Sequence, residues 1–285
     1  MKLQSIYIFY IADNNCNNDV YKLHYYFLEQ LSYILDKMTF IILYDNKQTD
    51  DIVYRVKSKL INICKCKEVQ FIMEPNNSDY REGLYFKKYI IDKLDKYDEY
   101  LTFFGHTKGV TNPNGLNNLK NLYTWICFLY YFNIHFINEI TRKLNTNSID
   151  EDYITYGSLY FKDYRHNNVH NWFYSGSFYW INTYKLNKYI NDNNIDINPF
   201  ICKENERLKR CAELFIGSCL PSKYAAFHND QFFNKETEHF HNSGWEISYN
   251  GIDGLINPYV NIGDINEYVI ERNKIMDQLN IKIFE

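Results

Sequence analysis

The sequence predicts an α/β fold with a central, mostly parallel sheet flanked by helices, of the Rossmann-like type. Two observations predict it. Short apolar segments alternate with amphipathic segments of helical length through the first hundred or so residues, and the connections between them are short. The segment Glu99–Phe104 is hydrophobic throughout, as expected of a central strand covered on both faces. Such alternation is typical of βαβ units, whose strands pair in parallel.

Four strands and three helices are predicted in this first half. The strands cover Ser5–Ala12, Met38–Tyr44, Val69–Met73 and Glu99–Phe104. The helices cover Asp19–Lys37, Asp50–Cys64 and Asp79–Leu94, and the first of them carries its apolar residues near helical spacing. The carboxyl ends of these strands should meet at one edge, where α/β sheets bind ligands.

The second half is less regular. Its expected elements are one long helix or two over Leu119–Leu144, a strand over Asp152–Tyr160, the aromatic segment Asn171–Trp180, a helix over Lys203–Cys219 and mixed structure from Pro221. No internal repeat and no Pro- or Ser-rich linker interrupts the chain. We therefore expect a single domain over residues 1–285, with a nucleotide-binding half at about 1–118 and a second functional half at about 119–285.

Composition excludes some classes of function. A net charge of −4 and a pI near 6.1 argue against nucleic acid as a partner, because binding phosphates requires a basic face. The seven cysteines are scattered, and Cys64 and Cys66 are too close together and too isolated for a zinc site. Reduced thiols in a cytoplasmic protein are the interpretation we adopt.

The longest apolar stretch indicates a buried helix rather than a membrane span. Leu122–Ile137 contains Asn133 and His135 and is shorter than the roughly 20 residues that a spanning helix needs. The amino-terminal apolar segment is too short for a signal peptide. We expect no membrane-spanning segment, and peripheral association with a membrane stays open.

Aromatic residues make up 18% of the chain, with 28 tyrosines. Tyrosine and asparagine are both favoured by AT-rich coding, so mutational bias is one explanation. The other is a surface that handles sugars, on which flat rings stack and hydroxyl groups form hydrogen bonds. Composition leaves both explanations open.

The end of the fourth predicted strand carries the polar segment Gly105–Gly109 (GHTKG). Two glycines let a backbone approach a diphosphate, and a lysine and a histidine offset its negative charge. The segment is not a P-loop, because GxxxxGK[ST] is absent. A glycine-bounded turn with polar surface residues is the alternative, and spacing alone does not decide between the two.

Four segments, in this order, resemble those of a known family of sugar transferases. They are Asn76–Leu84 (NNSDYREGL), Glu99–Gly109 (EYLTFFGHTKG), Phe173–Trp180 (FYSGSFYW) and Ala212–Gly217 (AELFIG). The second resembles the His-Thr-Lys segment of the rhamnan synthesis protein F family and related bacterial and viral sugar transferases. The resemblance implies a GT-A fold and transfer of a sugar from a nucleotide-diphosphate sugar to a saccharide or other hydroxyl acceptor in glycan or polysaccharide synthesis.

The resemblance also implies roles for particular residues. The donor-binding candidates are Asn77, Asp79, Arg81, Gly105, His106, Thr107, Lys108 and Gly109. The acceptor-binding candidates are Tyr174, Gly176, Ser177 and Trp180, and the catalytic candidates are Glu213, as the base that deprotonates the acceptor hydroxyl, and Lys108.

For two of these groups of residues, a purely structural role is the alternative to a functional one. Glu213 shares a helix face with Glu206 and Arg210, so the three side chains could simply form ion pairs at the surface. The aromatic rings of Trp172–Trp180 are either core or sugar platform, and alternation along a strand requires that some of them be core.

One departure from the family pattern concerns metal ions. Most GT-A enzymes carry an Asp-x-Asp pair at the end of the fourth strand, which holds Mg²⁺ or Mn²⁺ against the diphosphate. Here Gly105-His106-Thr107 stands in that place. The segment Asp150-Glu151-Asp152 precedes a predicted strand and should lie at the opposite edge. The sequence therefore assigns no metal ligands, and Mg²⁺ or Mn²⁺ stays open as a cofactor.

Two other functions compete with transfer. A nucleotide- or sugar-binding module that kept the fold without turnover would also lack the carboxylate pair. Another Rossmann-like enzyme, such as a nucleotidyltransferase or dehydrogenase, is disfavoured because Ala12-Asp13-Asn14-Asn15 replaces the GxGxxG expected after the first strand.

Overall fold

The computed structural model describes residues 1–281 with gaps. The gaps are 13–15, 46–49, 77–80, 98, 108–109, 111–118, 146–151, 159, 163–171, 175–176, 197–214, 218 and 228–261. Within the described elements, only the backbone is given for 81–82, 119–121, 124, 160–162, 173, 227 and 262–266.

The first half alternates strands and helices as predicted. In chain order the elements are β1 (Lys2–Tyr10), α1 (Asp19–Ile34), β2 (Lys37–Tyr44), α2 (Asp50–Ile63), β3 (Glu68–Pro75), α3 (Arg81–Tyr89), a 3₁₀ segment (Ile91–Tyr97) and β4 (Tyr100–His106). One helix differs from the prediction: the segment expected to be helical to Leu94 changes to 3₁₀ geometry after Tyr89, with non-helical torsions at Lys93. The fourth strand is longer than predicted and includes His106.

The second half supplies shorter elements. They are α4 (Leu119–Ile134), α5 (Ile137–Asn145), β5 (Thr155–Gly157), β6 (Tyr160–Lys162), β7 (Trp172–Tyr174), β8 (Tyr179–Asn182), α6 (Thr183–Asp192), a 3₁₀ turn (Ser222–Tyr224), β9 (Ala225–Phe227) and α7 (Ile262–Gln278). The predicted single strand over Asp152–Tyr160 is wrong, because β5 and β6 belong to different sheets. The aromatic segment is also two strands, β7 and β8, in different sheets.

The main sheet has seven strands in the order β3-β2-β1-β4-β8-β5-β9. The first four pair in parallel, β8 is antiparallel to both of its neighbours, and β5 and β9 are parallel. Strands β6 and β7 form a separate two-stranded sheet. The prediction of an α/β fold with a mostly parallel sheet flanked by helices is therefore confirmed, and the sheet is compatible with a Rossmann-like fold.

Both faces of the sheet are covered by apolar side chains. One core cluster joins the sheet to α1 and α4, and the other joins it to α3 and α6. The first contains a buried polar group, in which the Tyr7 hydroxyl lies 2.9 Å from Nδ1 of His24 and 2.5 Å from the Tyr130 hydroxyl. Among the aromatic side chains that the structure describes, most are buried in the core.

The predicted helix over Lys203–Cys219 lies largely outside the described residues, although 215–217 and 219 are helical. Gly217 packs directly on β7, because a Cβ atom there would lie 1.6 Å from the backbone oxygen of Trp172. Within the part of the chain that the structure describes, no helix combines the length and the apolar character needed to cross a membrane.

Candidate functional site

The carboxyl ends of β1 and β4 mark the point where the strand order reverses. From β1 the chain passes to β2 and β3 on one side, and β4 then joins β1 on the other. In open α/β sheets ligands bind in the crevice outside this point. Here Thr107 joins the two strand ends: its Oγ1 accepts a hydrogen bond of 2.9 Å from the Tyr10 N–H, and its own N–H donates to the Ile8 carbonyl at 3.0 Å.

A polar network extends from this point over the ends of β2 and β3. The Tyr10 hydroxyl donates to Oδ2 of Asp45 at 3.1 Å. The Asn76 side-chain amide donates to Oδ1 of Asp45 at 2.8 Å and to the Tyr10 hydroxyl oxygen at 3.2 Å. All three side chains are half-buried. We call Tyr10, Asp45, Asn76 and Thr107 the strand-end network.

The protonation of Tyr10 follows from its surroundings. Burial is the main cause that raises the pKa of its hydroxyl from 10.0 to about 12, and the neighbouring carboxylate of Asp45 is the second cause. The hydroxyl is therefore neutral at physiological pH and acts as a donor to Asp45. Asp45 thus accepts hydrogen bonds from two neutral groups, the Tyr10 hydroxyl and the Asn76 amide.

The turn after β1 is held by one tyrosine of α1. The Tyr21 hydroxyl donates to the Tyr10 carbonyl and accepts from the Ala12 N–H, both at 2.8 Å. The Asn18 side chain caps α1 by accepting from the Tyr21 N–H at 3.1 Å. The backbone that follows Tyr10 is thus fixed before any ligand binds.

The end of β3 is tied to α3 by Glu74. Its carboxylate accepts from Lys88 and from the Tyr89 hydroxyl. Burial acts to raise the pKa of Glu74, but these two hydrogen bonds outweigh it and the pKa is lowered. These bonds hold the last turn of α3, a helix whose first residue is Arg81, against the end of β3.

The predicted donor-binding residues are described only in part. Gly105 is the sixth residue of β4, and a Cβ there would lie 3.0 Å from the Phe103 ring and 3.1 Å from the Tyr7 ring, so its lack of a side chain serves packing. His106 is buried, with its ring centroid 5.7 Å from that of Phe178. Asn77, Asp79, Lys108 and Gly109 lie outside the described residues, as does the side chain of Arg81.

The acceptor-binding prediction needs correction at two residues. Tyr174 and Trp180 are both 0% exposed, so neither ring offers a face to a sugar. The Tyr174 hydroxyl donates to the Ala226 carbonyl at 2.7 Å, and Trp180 Nε1 donates to the Asn133 carbonyl at 3.0 Å. The core alternative holds for these rings, because strands β7 and β8 turn them between the sheet and its helices. Gly176 is not among the described residues.

Ser177 has features that its neighbours lack. Its φ of 57° lies in the left-handed region, which serine rarely adopts. It is fully buried, and its Oγ has no hydrogen-bond partner among the described residues. Because β8 is antiparallel to β4, Ser177 at its amino end lies near the carboxyl end of β4.

A second buried polar atom near Ser177 also lacks a partner in the described structure. The side-chain amide of Asn133 donates to the Leu129 carbonyl at 2.7 Å, to Ser158 Oγ at 3.2 Å and to the Phe178 carbonyl at 3.4 Å, whereas its Oδ1 is unsatisfied. An unsatisfied buried polar atom costs about 1–3 kcal/mol. Asn133 and Ser177 are both 0% exposed, so these two atoms lie in the core and face no open surface.

Of the remaining carboxylates considered in the sequence, only Asp152 is described, and it does not reach this edge. Asp152 lies before the amino end of β5, at the opposite edge, and pairs with Lys185 at 2.8 Å. This confirms the prediction for Asp152, whereas Asp150 and Glu151 are outside the described ranges, as is Glu213. Over the described residues, no group of three His, Cys, Asp or Glu side chains is placed to hold a metal ion.

No protein-family model, curated protein or solved structure matches this chain. The fold and the site define it as an α/β protein with a polar carboxyl edge. Sequence reasoning named two segments at this edge, Asn76–Leu84 and Gly105–Gly109, but did not single out Tyr10, Asp45 or Asn76. A usable signal was present, because Asp45 directly follows the apolar strand β2 and Asn76 directly follows β3.

Proposed function

We propose that this protein is a glycosyltransferase of the GT-A type, which moves a sugar from a nucleotide-diphosphate sugar to a saccharide or other hydroxyl acceptor in glycan or polysaccharide synthesis. Two lines support the proposal. The four sequence segments resemble those of sugar transferases and occur in the same order. If the seven strands of the main sheet are numbered consecutively along the chain, β8 becomes the sixth and β9 the seventh. Their order in the sheet is then 3-2-1-4-6-5-7 with the sixth strand antiparallel, which is compatible with a GT-A fold.

The observation that carries the proposal is the strand-end network. A carboxylate at the end of the second strand of a nucleotide-binding sheet accepts hydrogen bonds from ribose hydroxyls. Asp45 occupies this position and is oriented by Tyr10 and Asn76.

The diphosphate would lie on the other side of Tyr10, at the end of β4. Thr107 fixes the end of this strand against β1. Lys108 follows it in the sequence, and a lysine stabilises a diphosphate leaving group as a point charge. This role for Lys108 comes from the resemblance and from its place in the sequence.

The acceptor side of the proposal uses Glu213. Ser177 lies near the end of β4, but it is as fully buried as Tyr174 and Trp180 and offers no surface to an acceptor. Glu213 remains the proposed base, by resemblance, and the cytoplasm remains the proposed location. Transfer of a sugar to a glycan acceptor requires neither a nucleic acid partner nor a membrane-spanning segment.

Release of free nucleoside diphosphate from a panel of nucleotide sugars tests the function. Wild type should release nucleoside diphosphate from at least one donor, faster when an acceptor is present. Asp45→Asn should reduce the release, and the matched control Asp152→Asn, at the opposite edge, should not. Binding of a nucleotide without any release across the panel would contradict the transferase.

A non-catalytic nucleotide- or sugar-binding module is the second candidate. It is favoured by the end of β4, where Gly105, His106 and Thr107 stand instead of a carboxylate pair. Calorimetry with nucleoside diphosphates and with the intact donors distinguishes the two functions. Saturable binding that needs Asp45, together with donors recovered unchanged, would establish the module.

A further inference from the structure

A cavity of about 330 Å³ lies between α1, α4 and α7. Helix α7 packs on α4 through Tyr268, whose buried ring lies 5.5 Å from the Phe128 ring and 5.4 Å from the Tyr131 ring, measured between centroids. The cavity lies beside this contact, and its lining includes none of the residues of the strand-end network. Its volume falls within the range of about 300–1,000 Å³ that is usual for sites of small molecules.

The floor of the cavity is apolar and aromatic. Phe27 of α1, Tyr131 of α4 and Ile275 of α7 line it, and all three are buried. The His135 ring stacks on the Tyr131 ring, with 4.8 Å between the centroids and 11° between the planes. The Tyr26 ring meets that of Phe27 edge to face at 5.2 Å. Rings in these arrangements suit a ligand with a flat apolar body, which can stack on a ring face or contact a ring edge.

The mouth of the cavity carries negative charge. Glu267 is exposed and Glu271 is half-buried, and the two lie one turn apart on α7, a spacing at which like charges repel each other. His135 Nε2 lies 3.8 Å from Glu267 Oε1, and Lys274 Nζ lies 3.4 Å from Glu271 Oε2. Both distances exceed the roughly 2.7–2.9 Å of a charge-assisted hydrogen bond. The described lining contains no lysine or arginine, so the two carboxylates set the charge of the mouth.

The charge of Glu271 acts across the cavity on α1. Tyr26 of α1 lines the cavity opposite α7. The pKa of its hydroxyl is raised, by burial first and by the Glu271 carboxylate second. A phenol in these surroundings stays neutral and cannot offset the negative charge, whereas a cationic ligand can.

We propose that this cavity binds an organic ammonium ion that has a flat apolar body. The ammonium group lies between Glu267 and Glu271, and the apolar body contacts the floor. Charge complementarity selects this occupant, because an anion is repelled at the mouth and a neutral molecule leaves the repulsion between the two carboxylates unrelieved. A cation close to aromatic rings gains further attraction from the ring faces. The inference rests on the cavity and does not depend on the proposed transferase activity.

Isothermal calorimetry of the full-length protein with matched ligands tests the preference for positive charge. Tryptamine and tyramine are the probes, tryptophol and tyrosol are their neutral twins with a hydroxyl in place of the ammonium group, and indole-3-acetate is the anion. At least one amine should bind one to one and about tenfold more tightly than its twin, as an ion pair together with a cation–π contact predicts. Indole-3-acetate should show no saturable binding. Equal affinities for an amine and its twin, or no binding of either amine, would overturn the proposal.

Substitutions at the mouth locate the binding. Glu267→Gln and Glu271→Gln should each weaken binding of the amine by about threefold, because solvent screens each carboxylate in part. The double variant should bind the amine no more tightly than its neutral twin. Glu99→Gln, which changes an exposed carboxylate on another part of the chain, is the matched control and should bind as wild type does. Circular dichroism shows whether each variant is folded, and a preference for the amine that survives in the folded double variant would overturn the site.

Discussion

The backbone N–H of Tyr10 donates a hydrogen bond of 2.9 Å to the hydroxyl oxygen of Thr107. This bond joins the carboxyl ends of β1 and β4, the two strands between which the order of the sheet reverses. Tyr10 also reaches Asp45 with its hydroxyl, so its backbone and its side chain connect the ends of three strands. The proposed diphosphate and nucleoside sides of the site thus share one residue.

Replacing Thr107 by valine should destabilise this junction. Valine keeps the shape of threonine but leaves the Tyr10 N–H without this acceptor, which costs about 1–3 kcal/mol. Urea denaturation should show a lower free energy of unfolding for Thr107→Val, and nucleoside diphosphate should bind more weakly. Thr107→Ser retains the hydroxyl and is the control, so equal losses in both variants would show that the hydrogen bond is not the cause.

Asp45→Asn should weaken binding of the nucleoside portion of the donor. An amide keeps the size of the carboxylate but loses its charge, and a hydrogen bond to a charged group is worth about 1.5–3 kcal/mol. Calorimetry should show similar losses for a nucleoside and for its diphosphate, since both contain the ribose. A loss confined to the diphosphate would place Asp45 outside the nucleoside subsite, and Asp152→Asn should change neither affinity.

The raised pKa of Tyr10 predicts a contribution to stability at alkaline pH. Its hydroxyl titrates near pH 12 in the folded chain and near pH 10 in the unfolded chain. The contribution is therefore complete below pH 10 and is lost as the pH rises from 10 to 12. The stability of wild type relative to Tyr10→Phe, from denaturant curves, should fall across this window. A constant difference between the two proteins would contradict the assignment.

Replacing Ser177 should not destabilise the fold. Its Oγ is buried and has no partner in the described structure, so Ser177→Ala removes an unsatisfied polar atom and should leave the free energy of unfolding equal or higher. Ser177→Gly also removes the strain of a left-handed backbone at a non-glycine residue, so it should be at least as stable as Ser177→Ala. Urea denaturation of both variants measures this, and a clear loss of stability in Ser177→Ala would show that the hydroxyl has a partner in the folded protein.

Chelation should affect activity less than in enzymes with an Asp-x-Asp pair. No such pair follows β4, and Lys108 and His106 are the cationic or ionisable groups at that place in the sequence. Activity measured after EDTA treatment and dialysis should stay close to the untreated level. Complete loss that Mn²⁺ restores would show that metal ligands exist among the residues the structure does not describe.

The first half of the fold could be predicted because its signals are local. Strands β1, β2 and β4 are buried on both faces and read as continuous apolar runs, separated by helices with a clear apolar stripe. The second half could not, since its strands have only three or four residues each. The pairing of β8 with β4 joins Phe103 to Trp180, which lie far apart in sequence, and no local pattern specifies such a pair.

The sequence located the edge of the sheet that carries the strand-end network, but not the side chains that form most of it. Tyr10 is one of 28 tyrosines and reads as an ordinary strand residue. Its role depends on the parallel register of β1 with β2, where Tyr10 pairs with Leu43 and Asp45 follows two residues later. Tyr174 and Trp180 were misassigned for the related reason that a buried ring and an exposed ring look alike in a sequence.

The place of β8 in the main sheet determines how the chain can be cut. A fragment that ends at residue 118 would leave β4 without its neighbour on one side, with unpaired backbone groups and the rings of Phe103 and Phe104 uncovered. Exposed edges of this kind pair with other chains and aggregate. The two functional halves are therefore halves of the site only, and a recombinant fragment of either one should be recovered as insoluble material unless the other is supplied with it.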